Sequence, residues 1–282
     1  MGKIALLQWN WQPAGPLVTG YSQNLAEAAG LIQRGEPRVV NLQTRDASHQ
    51  LQPAFLASSV KGVFRTAAAW LVERVAHEQG AATFVTCDYG RAVPERQRPR
   101  LGVHARPGLC PVCQVFGGAG CLSGEDVAPS QRQQGRVRFS FNRADNAAHG
   151  RVDDSPPYRW AWEQIEDQGK PLVIEQLQFN PDTLLEARIE PADDLALALL
   201  LLAGDLASSG FFRFGRFTTR GYGVVRLQLA AYFVGGLNAL LAGGDLVLEP
   251  IEGTPVGRAV ARELLKRDPM AIVAGNVRGW MH

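Results

Sequence analysis

Residues 58–79 read SSVKGVFRTAAAWLVERVAHEQ, and this stretch decides how the rest of the chain is interpreted. Its apolar residues recur three and four positions apart, at Val60, Val63, Phe64, Ala67, Ala68, Leu71, Val72 and Val75. That spacing predicts a helix with one buried face. We expect Ser58 or Ser59 to cap the beginning of this helix and Gly80 to end it.

The start of the predicted helix also has the composition of an anion site. Two serines are followed by Lys61 and, one turn later, by Arg65. The first backbone amides of a helix have no partner within the helix, so they favour a bound anion. Gly62 leaves room for a phosphate or another backbone to approach closely. An ordinary capped helix with solvated charges is the alternative explanation.

Strands and a second helix are predicted on both sides of this helix. They are a strand at 3–11, an alternating strand at 136–141, two short strands within 172–189, an apolar helix at 193–208 and a strand at 224–233. The two short strands meet at a turn at 180–182, and residues 142–170 read as irregular. This order predicts an α+β fold with a ferredoxin-like or RRM-like core and large insertions.

A second motif, RFGRFTTRGYG, occupies residues 213–223. Its arginines can contact phosphates, its aromatic residues offer stacking faces, and its glycines allow close backbone approach. The residues singled out are Arg213, Arg216, Arg220, Gly221 and Tyr222. The motif lacks the G-K-[ST] ending of a phosphate-binding P-loop. A glycine-rich turn whose aromatic side chains belong to the core is the alternative.

A third motif contains three of the four cysteines, in the stretch CPVCQVFGGAGC at residues 110–121. The spacing of Cys110, Cys113 and Cys121 is typical of three ligands of a structural zinc ion, with Cys87 or His104 as the fourth. Reduced structural cysteines and a redox dithiol are the alternatives. The redox alternative is disfavoured because the C-x-x-C pair is not predicted to follow a strand and open a helix.

The composition excludes several classes of protein. With 46% hydrophobic and 20% charged residues, the 282-residue chain is expected to be globular. Its longest apolar run, 195–204, is about half the length of a bilayer span. The start of the chain has no secretory signal pattern. These features predict a cytoplasmic protein without membrane association.

The positive charge is carried almost entirely by arginine. The net charge of +2 does not by itself indicate a polyanionic partner. Of the 29 basic residues, only Lys3, Lys61, Lys170 and Lys266 are lysines. Arginine suits bidentate phosphate contacts and stacking on bases. A GC-rich genome, which encodes arginine in place of lysine, explains the same bias.

The three motifs resemble, in order, those of RAMP (repeat-associated mysterious protein) superfamily members from type III CRISPR complexes. Residues 53–65 resemble the serine–lysine helix start P-G-S-S-[LI]-K-G-x-[LMF]-R, with Leu56-Ala57 in place of Pro-Gly. Residues 110–117 resemble the element C-x-x-C-x-[LV]-F-G, and 215–223 resemble the loop G-G-x-x-[ST]-R-G-Y-G. The resemblance covers roughly residues 3–241 and is greatest to backbone subunits that line up along the CRISPR RNA.

This resemblance implies a domain organisation and a set of partners. Residues 1–241 would form an RRM-like domain with a lid, a zinc knuckle at about 87–121 and a thumb hairpin at about 123–170, and 242–282 a C-terminal helical extension. The chain would bind CRISPR RNA, target RNA and other subunits of the complex. The guide backbone would be held by Ser58, Ser59, Lys61, Gly62 and Arg65 together with the arginine and glycine residues of the second motif.

The family pattern leaves catalysis open. Such backbone subunits often cleave target RNA with a metal-assisted Asp about six residues before a basic-Asp pair. Here that pair is Arg45-Asp46, and Val40 stands where the acid is expected. The predicted function is therefore a CRISPR RNA-binding backbone subunit that is catalytically silent. The alternative is an active RNA-guided endoribonuclease that uses Asp46 with Mg²⁺ or Mn²⁺.

Two further functions are less consistent with the sequence. An enzyme that processes CRISPR RNA alone would need a histidine, or a tyrosine and lysine, as an acid–base set in the N-terminal loop. No such set is predicted, because His49, like the other histidines, is expected on a surface or a helix face. A small zinc-binding redox protein would make Cys110 and Cys113 a reactive dithiol.

Overall fold

The computed structural model describes residues 3–15, 17–19, 30, 33, 38–39, 43–45, 51–53, 55–78, 86, 111–117, 135–143, 158–167, 170–216, 218, 221–236 and 249–250. Its helices are α1 (Ala57–Glu78), α2 (Pro111–Phe116) and α3 (Asp194–Ser208). Its strands are β1 (Lys3–Pro13), β2 (Arg38–Val39), β3 (Gln43–Arg45), β4 (Leu51–Pro53), β5 (Val137–Arg143), β6 (Tyr158–Asp167), β7 (Lys170–Phe179), β8 (Thr183–Ala192), β9 (Val225–Gly236) and β10 (Glu249–Pro250).

A five-stranded antiparallel sheet forms the centre of the molecule, in the order β10-β9-β1-β8-β5. In sequence, α1 lies between β1 and β5, and α3 lies between β8 and β9. In each case the two flanking strands have one other strand between them in the sheet. The fold is therefore α+β, and both long helices cross over the sheet.

The core lies between this sheet and the two long helices. Alternate residues of β1 are buried, at Ala5, Leu7, Trp9 and Trp11. The Trp9 ring meets the edge of the Phe64 ring of α1, with centroids 5.6 Å apart. On the α3 side, a Cβ added at Gly204 would lie 3.3 Å from Trp9 Nε1. Both helices therefore pack closely against the middle of β1.

An aromatic cluster at the end of β1 determines where the functional segments lie. Trp11 is surrounded by Phe55, Phe141, Phe179 and Phe214, with ring centroids 4.9 to 5.7 Å away. Phe55 lies two residues before α1, and Phe214 belongs to the second motif (213–223), which we call the arginine–glycine motif. Because edge-to-face packing of buried rings is favourable, the cluster holds the start of α1 near this motif.

Several predicted elements are confirmed. The strands expected at 3–11 and 224–233, and the helix at 193–208, match β1, β9 and α3 within three residues. Asp193 caps α3, and its Oδ1 accepts a hydrogen bond of 2.8 Å from the Ala196 amide. The arginine–glycine motif forms no α-helix or strand in its described residues. Within the described part of the chain, no helix is long and apolar enough to cross a membrane.

The predicted N-terminal cap of α1 is wrong. The helix begins at Ala57, and the Ser59 amide already donates to the Leu56 carbonyl at 2.8 Å. Ser58 and Ser59 therefore lie within the first turn instead of before it. The reason is that Phe55 belongs to the aromatic cluster, so the chain turns into the helix directly after it. Gly80 lies outside the described residues.

The irregular stretch predicted at 142–170 is also wrong in part. Strand β6 pairs with β7 from Tyr158 opposite Phe179 to Asp167 opposite Lys170. The turn at 180–182 is confirmed, and there the Thr183 hydroxyl donates to the Asn180 carbonyl at 2.7 Å. However, β7 and β8 do not pair with each other and belong to different sheets. Strand partners are set by long-range packing, which a local pattern does not reveal.

Part of the predicted C-terminal extension joins the central sheet. Strand β10 pairs antiparallel with β9, through Glu249 opposite Val234 and Pro250 opposite Phe233. Residues 87–110 of the predicted zinc knuckle and 251–282 of the predicted C-terminal extension lie outside the described residues.

Candidate nucleic-acid interface

A pocket of about 380 Å³ lies between the first turns of α1 and the arginine–glycine motif. We call it the α1 pocket. It is lined by Thr19, Ser59, Gly62, Val63, Thr66, Phe212, Arg213, Gly215 and Arg216. Among these lining residues are three hydroxyl groups and two guanidinium groups, and none is acidic. The pocket thus has the donors and the charge that suit a phosphate.

One face of α1 supplies the helix side of this pocket. Ser59, Gly62, Val63 and Thr66 lie three and four residues apart, so they share a face. The Thr66 hydroxyl donates to the Gly62 carbonyl at 3.0 Å. A Cβ added at Gly62 would meet nothing within 4 Å, so the space above this glycine is open to a ligand.

Gly215 brings the opposite side of the pocket into place. Its φ is +81°, and a Cβ there would lie 2.2 Å from the Val18 carbonyl oxygen. No other residue can combine that conformation with that approach. The next amide, of Arg216, donates to the same Val18 carbonyl at 2.7 Å. The exposed Arg216 is thereby held at the mouth of the pocket.

Further hydrogen bonds join residues within the arginine–glycine motif to each other. The Phe214 amide donates to the Gly223 carbonyl at 2.8 Å, and the Arg213 guanidinium donates to the Thr218 carbonyl. Phe214 and Tyr222 are buried, so these two aromatic rings belong to the core and are not exposed stacking faces. Gly221 is exposed with φ +92°, and Arg220 lies outside the described residues.

The structure separates the two basic residues of the serine–lysine motif from the α1 pocket. Lys61 Nζ donates to the Val137 carbonyl at 3.2 Å, which places it against β5. Arg65 donates to the Gly117 carbonyl and lies 3.3 Å from Cys113 Sγ. Ser58 is exposed and does not line the pocket. Of the predicted residues on α1, only Ser59 and Gly62 adjoin the arginine–glycine motif.

Burial perturbs the ammonium group of Lys61. Desolvation lowers its pKa, and the nearby charges of Arg65 and Arg138 lower it further. A cluster of three cations at this place is unfavourable in the absence of an anion. The Lys61 side chain is therefore a second point where an added negative charge would be stabilised.

The cysteine motif is described only around Cys113. Cys113 is buried in α2, and the Arg136 amide and guanidinium donate to the Val115 and Gln114 carbonyls. Cys113 lies in α2, which begins at Pro111, so the prediction that no helix opens at the C-x-x-C pair is wrong. A six-residue helix is too short to show an apolar period in the sequence. Residues 87–110, where a preceding strand would lie, are outside the described residues, so that part of the prediction is not tested.

The other predicted metal ligands are not described. Cys87, His104, Cys110 and Cys121 lie outside the described residues, as does Asp46. In the part of the chain that the structure describes, no three His, Cys, Asp or Glu side chains form a group that could hold a metal ion. Zinc and catalytic metal therefore remain predictions.

Sequence reasoning missed several residues of this site. Thr66 continues the face of Ser59 and Gly62, and its position could have been inferred from the helical period. Thr19 and Phe212 had no local signal, because tertiary packing brings them to the pocket. Phe211, an exposed aromatic residue near the site, lies just outside the predicted motif.

The fold and the site together define a class of α+β protein. In it, two long helices, α1 and α3, cover one antiparallel sheet. A glycine-rich loop after α3 forms a basic pocket with α1. This chain belongs to the RAMP superfamily, which it matches over residues 15–226.

Two other comparisons give less information. A chain described as "Type IV-B CRISPR Complex" in a solved structure is 14% identical, with a TM-score of 0.46. The similarity covers 81% of the present chain and 90% of that chain. No curated protein matches the sequence.

Proposed function

We propose that this protein is a CRISPR RNA-binding backbone subunit of a type III interference complex. One observation carries the proposal: two motifs more than 140 residues apart in sequence, represented by Ser59 and Arg216, line one pocket. Membership of the RAMP superfamily supports it. The expected partners are CRISPR RNA, target RNA and the other subunits of the complex.

The chemistry of the α1 pocket supports RNA phosphate as its ligand. Arg213 and Arg216 offer charged donors, and Thr19 and Ser59 offer hydroxyls, whereas the Thr66 hydroxyl already donates to the Gly62 carbonyl. The open space above Gly62 lets a phosphate reach the helix backbone. Such contacts bind any sequence, which is what a guide-binding backbone subunit requires. Arg220 and Gly221 complete the proposed guide-binding loop, and the buried Tyr222 supports this loop from the core.

Lys61 and Arg65 have a second role in this proposal. Their partners, Val137 and Gly117, lie on β5 and after α2. We infer that they hold the cysteine motif (residues 110–121), called the cysteine segment below, against α1. We also infer that Lys61 contacts a neighbouring phosphate of the same RNA strand. The proposed zinc ion would be held by Cys110, Cys113 and Cys121 with Cys87 or His104, and would stabilise that segment.

The topology supports a ferredoxin-like core within this proposal. The order β9-β1-β8-β5, with α1 after β1 and α3 after β8, is the order expected of a βαββαβ unit. Strands β6 and β7 are inserted between β5 and β8 and pair over their full lengths. We propose that this hairpin is the thumb, with the second strand extending beyond the expected limit at residue 170.

The proposed subunit holds RNA and does not cleave it. The family acid is replaced by Val40, and Asp46 is preceded by Arg45, which would pair with it. A metal-assisted ribonuclease needs a carboxylate that places a hard cation at the scissile phosphate.

Co-purification tests this function directly. The chain would be expressed in cells with a CRISPR array, purified, and any bound RNA sequenced. We expect CRISPR RNA to be enriched, and the bound guide to capture complementary RNA in preference to DNA. A matched control is Arg226→Ala, which removes an exposed arginine of β9 that does not line the pocket. Absence of bound RNA, or RNA without CRISPR repeats, would contradict the proposal.

A further inference from the structure

An exposed aromatic cluster lies beside the α1 pocket. Phe211 is 65% exposed, the largest exposure among the large hydrophobic residues that the structure describes. Its ring lies 5.4 Å from the Trp70 ring at an interplanar angle of 52°, and 5.0 Å from the Phe212 ring at 74°. We call Trp70, Phe211 and Phe212 the aromatic platform.

The platform adjoins the α1 pocket along both segments that line the pocket. Phe212 itself lines the pocket, next to Arg213. Trp70 lies one helical turn after Thr66, on the face of α1 that also carries Ser59 and Gly62. A ligand that fills the pocket and extends along α1 would therefore reach Phe211 next.

The exposure of Phe211 is built into the end of α3. Ser209 caps the helix, and its hydroxyl donates to the Leu206 carbonyl at 2.7 Å. The same oxygen accepts the Phe211 amide at 3.4 Å, and the intervening Gly210 has φ +79°. These bonds fix the backbone on which the ring is carried. The ring is thus held in solvent by an ordered turn, and Trp70 supports one side of it.

We propose that the aromatic platform stacks one unpaired base of an RNA strand whose phosphate lies in the α1 pocket. This inference rests on the proposed function and adds a base-contacting site to it. Single-stranded RNA presents its phosphates and its bases side by side, and aromatic rings bind bases of any type by stacking. The occupant is identified by this combination, because the platform directly adjoins hydroxyls and guanidinium groups, and no acidic residue is among the described residues that line the pocket.

The chemistry is less suited to a protein partner. A protein-docking patch is expected to have several exposed apolar side chains around its centre. Phe211 and Leu56 are the only large hydrophobic residues exposed among those the structure describes, and Leu56 does not belong to the platform. Base stacking needs only the face of one ring.

The experiment compares two strands that differ only in their bases. Fluorescence anisotropy would measure binding of an oligoadenylate and of an abasic strand with the same number of phosphates. We expect Phe211→Ala to weaken oligoadenylate binding about five- to fiftyfold and to leave abasic-strand binding unchanged. Phe211→Leu should behave like Phe211→Ala, because it keeps an apolar side chain but lacks a π face. Phe211→Tyr should bind like the wild type.

The outcomes separate this inference from the function on which it rests. If the wild type bound oligoadenylate but Phe211→Ala bound equally well, the platform would be refuted and RNA binding would stand. Equal losses for both strands, or full binding by Phe211→Leu, would also overturn stacking. If the wild type bound neither strand, the proposed function and the platform would both fail. Thermal unfolding of each variant would confirm that this exposed position leaves the fold intact.

Discussion

The guanidinium of Arg65 lies 3.3 Å from the thiol of Cys113 and thereby joins two motifs that are 48 residues apart. The same guanidinium donates to the carbonyl of Gly117, just beyond α2. In the sequence, Arg65 reads as a phosphate ligand and Cys113 as a metal ligand. In the structure, each residue contacts the other, so the cysteine segment and the serine–lysine helix form one unit.

This contact bears on the zinc prediction. We expect elemental analysis of the purified chain to give about one zinc per molecule, because one tetrahedral site uses four ligands. Cys110→Ser should abolish zinc and loosen the cysteine segment, as judged by proteolysis. A loss of stability in Cys113→Ser would not by itself show that zinc is bound. Cys113 is buried, and a hydroxyl there lowers the free energy of unfolding by about 1–3 kcal/mol without any metal. Freshly purified wild type without zinc would contradict the prediction.

The salt dependence of RNA binding tests the basic residues. Arg216→Ala and Arg220→Ala should each weaken binding to all sequences alike and reduce the slope of log affinity against log salt by about 0.7. Lys61→Ala and Arg65→Ala are predicted to act in the same direction, and Arg65→Ala should also loosen the cysteine segment. Filter binding at several salt concentrations would measure the slopes. Arg226→Ala, an exposed change outside the pocket, should match the wild type. An unchanged slope in all four variants would show that these residues are ordinary surface charges.

Gly62→Ala should have opposite effects on stability and on RNA binding. A Cβ at this position meets no atom within 4 Å, and alanine favours a helix over glycine by about 1 kcal/mol. We therefore expect a higher unfolding temperature together with weaker RNA binding, because the methyl group occupies the space left for a phosphate. Calorimetry and RNA binding would be measured on the same preparation. A more stable variant with undiminished affinity would show that no ligand approaches Gly62.

The lowered pKa of Lys61 predicts how stability depends on pH. The folded pKa lies below the unfolded value of about 10.5, so between the two the unfolded chain binds more protons. The cost of the charged, partly buried ammonium is full below the folded pKa and is relieved as pH rises. The wild type should therefore gain unfolding free energy relative to Lys61→Gln between neutral pH and pH 10. Denaturant melts of both proteins would reveal this, and an opposite trend would contradict the burial argument.

The prediction that this subunit does not cleave RNA can be tested in the reconstituted complex. Between residues 23 and 52 the acidic residues are Glu27, Glu36 and Asp46. We expect Asp46→Ala and Glu36→Ala to leave every target-RNA cut site in place, in Mg²⁺ or Mn²⁺. Mapping of cut sites on a labelled target would measure this. Loss of one cut site with binding intact would instead favour the active endoribonuclease.

The regular elements of the central sheet and its helices could be predicted from the sequence because their signals are local. The period of α1 and the Asp193 cap of α3 depend on residues within a turn of each other. Strand β6 was not predicted, because its stability depends on pairing with β7. Helix α1 begins earlier than the sequence pattern predicted, because Phe55 packs against Trp11, which is far away in the sequence.

The sequence by itself determined the order of the core elements and the motifs that mark the RAMP superfamily. Only the tertiary structure decided which motif residues meet. It brought Ser59 and Gly62 to Arg216, turned Lys61 and Arg65 toward β5 and α2, and left Phe211 in solvent. The physical reason is that a helix presents successive residues to different neighbours about 100° apart. Which neighbour each residue meets depends on the packing of distant segments.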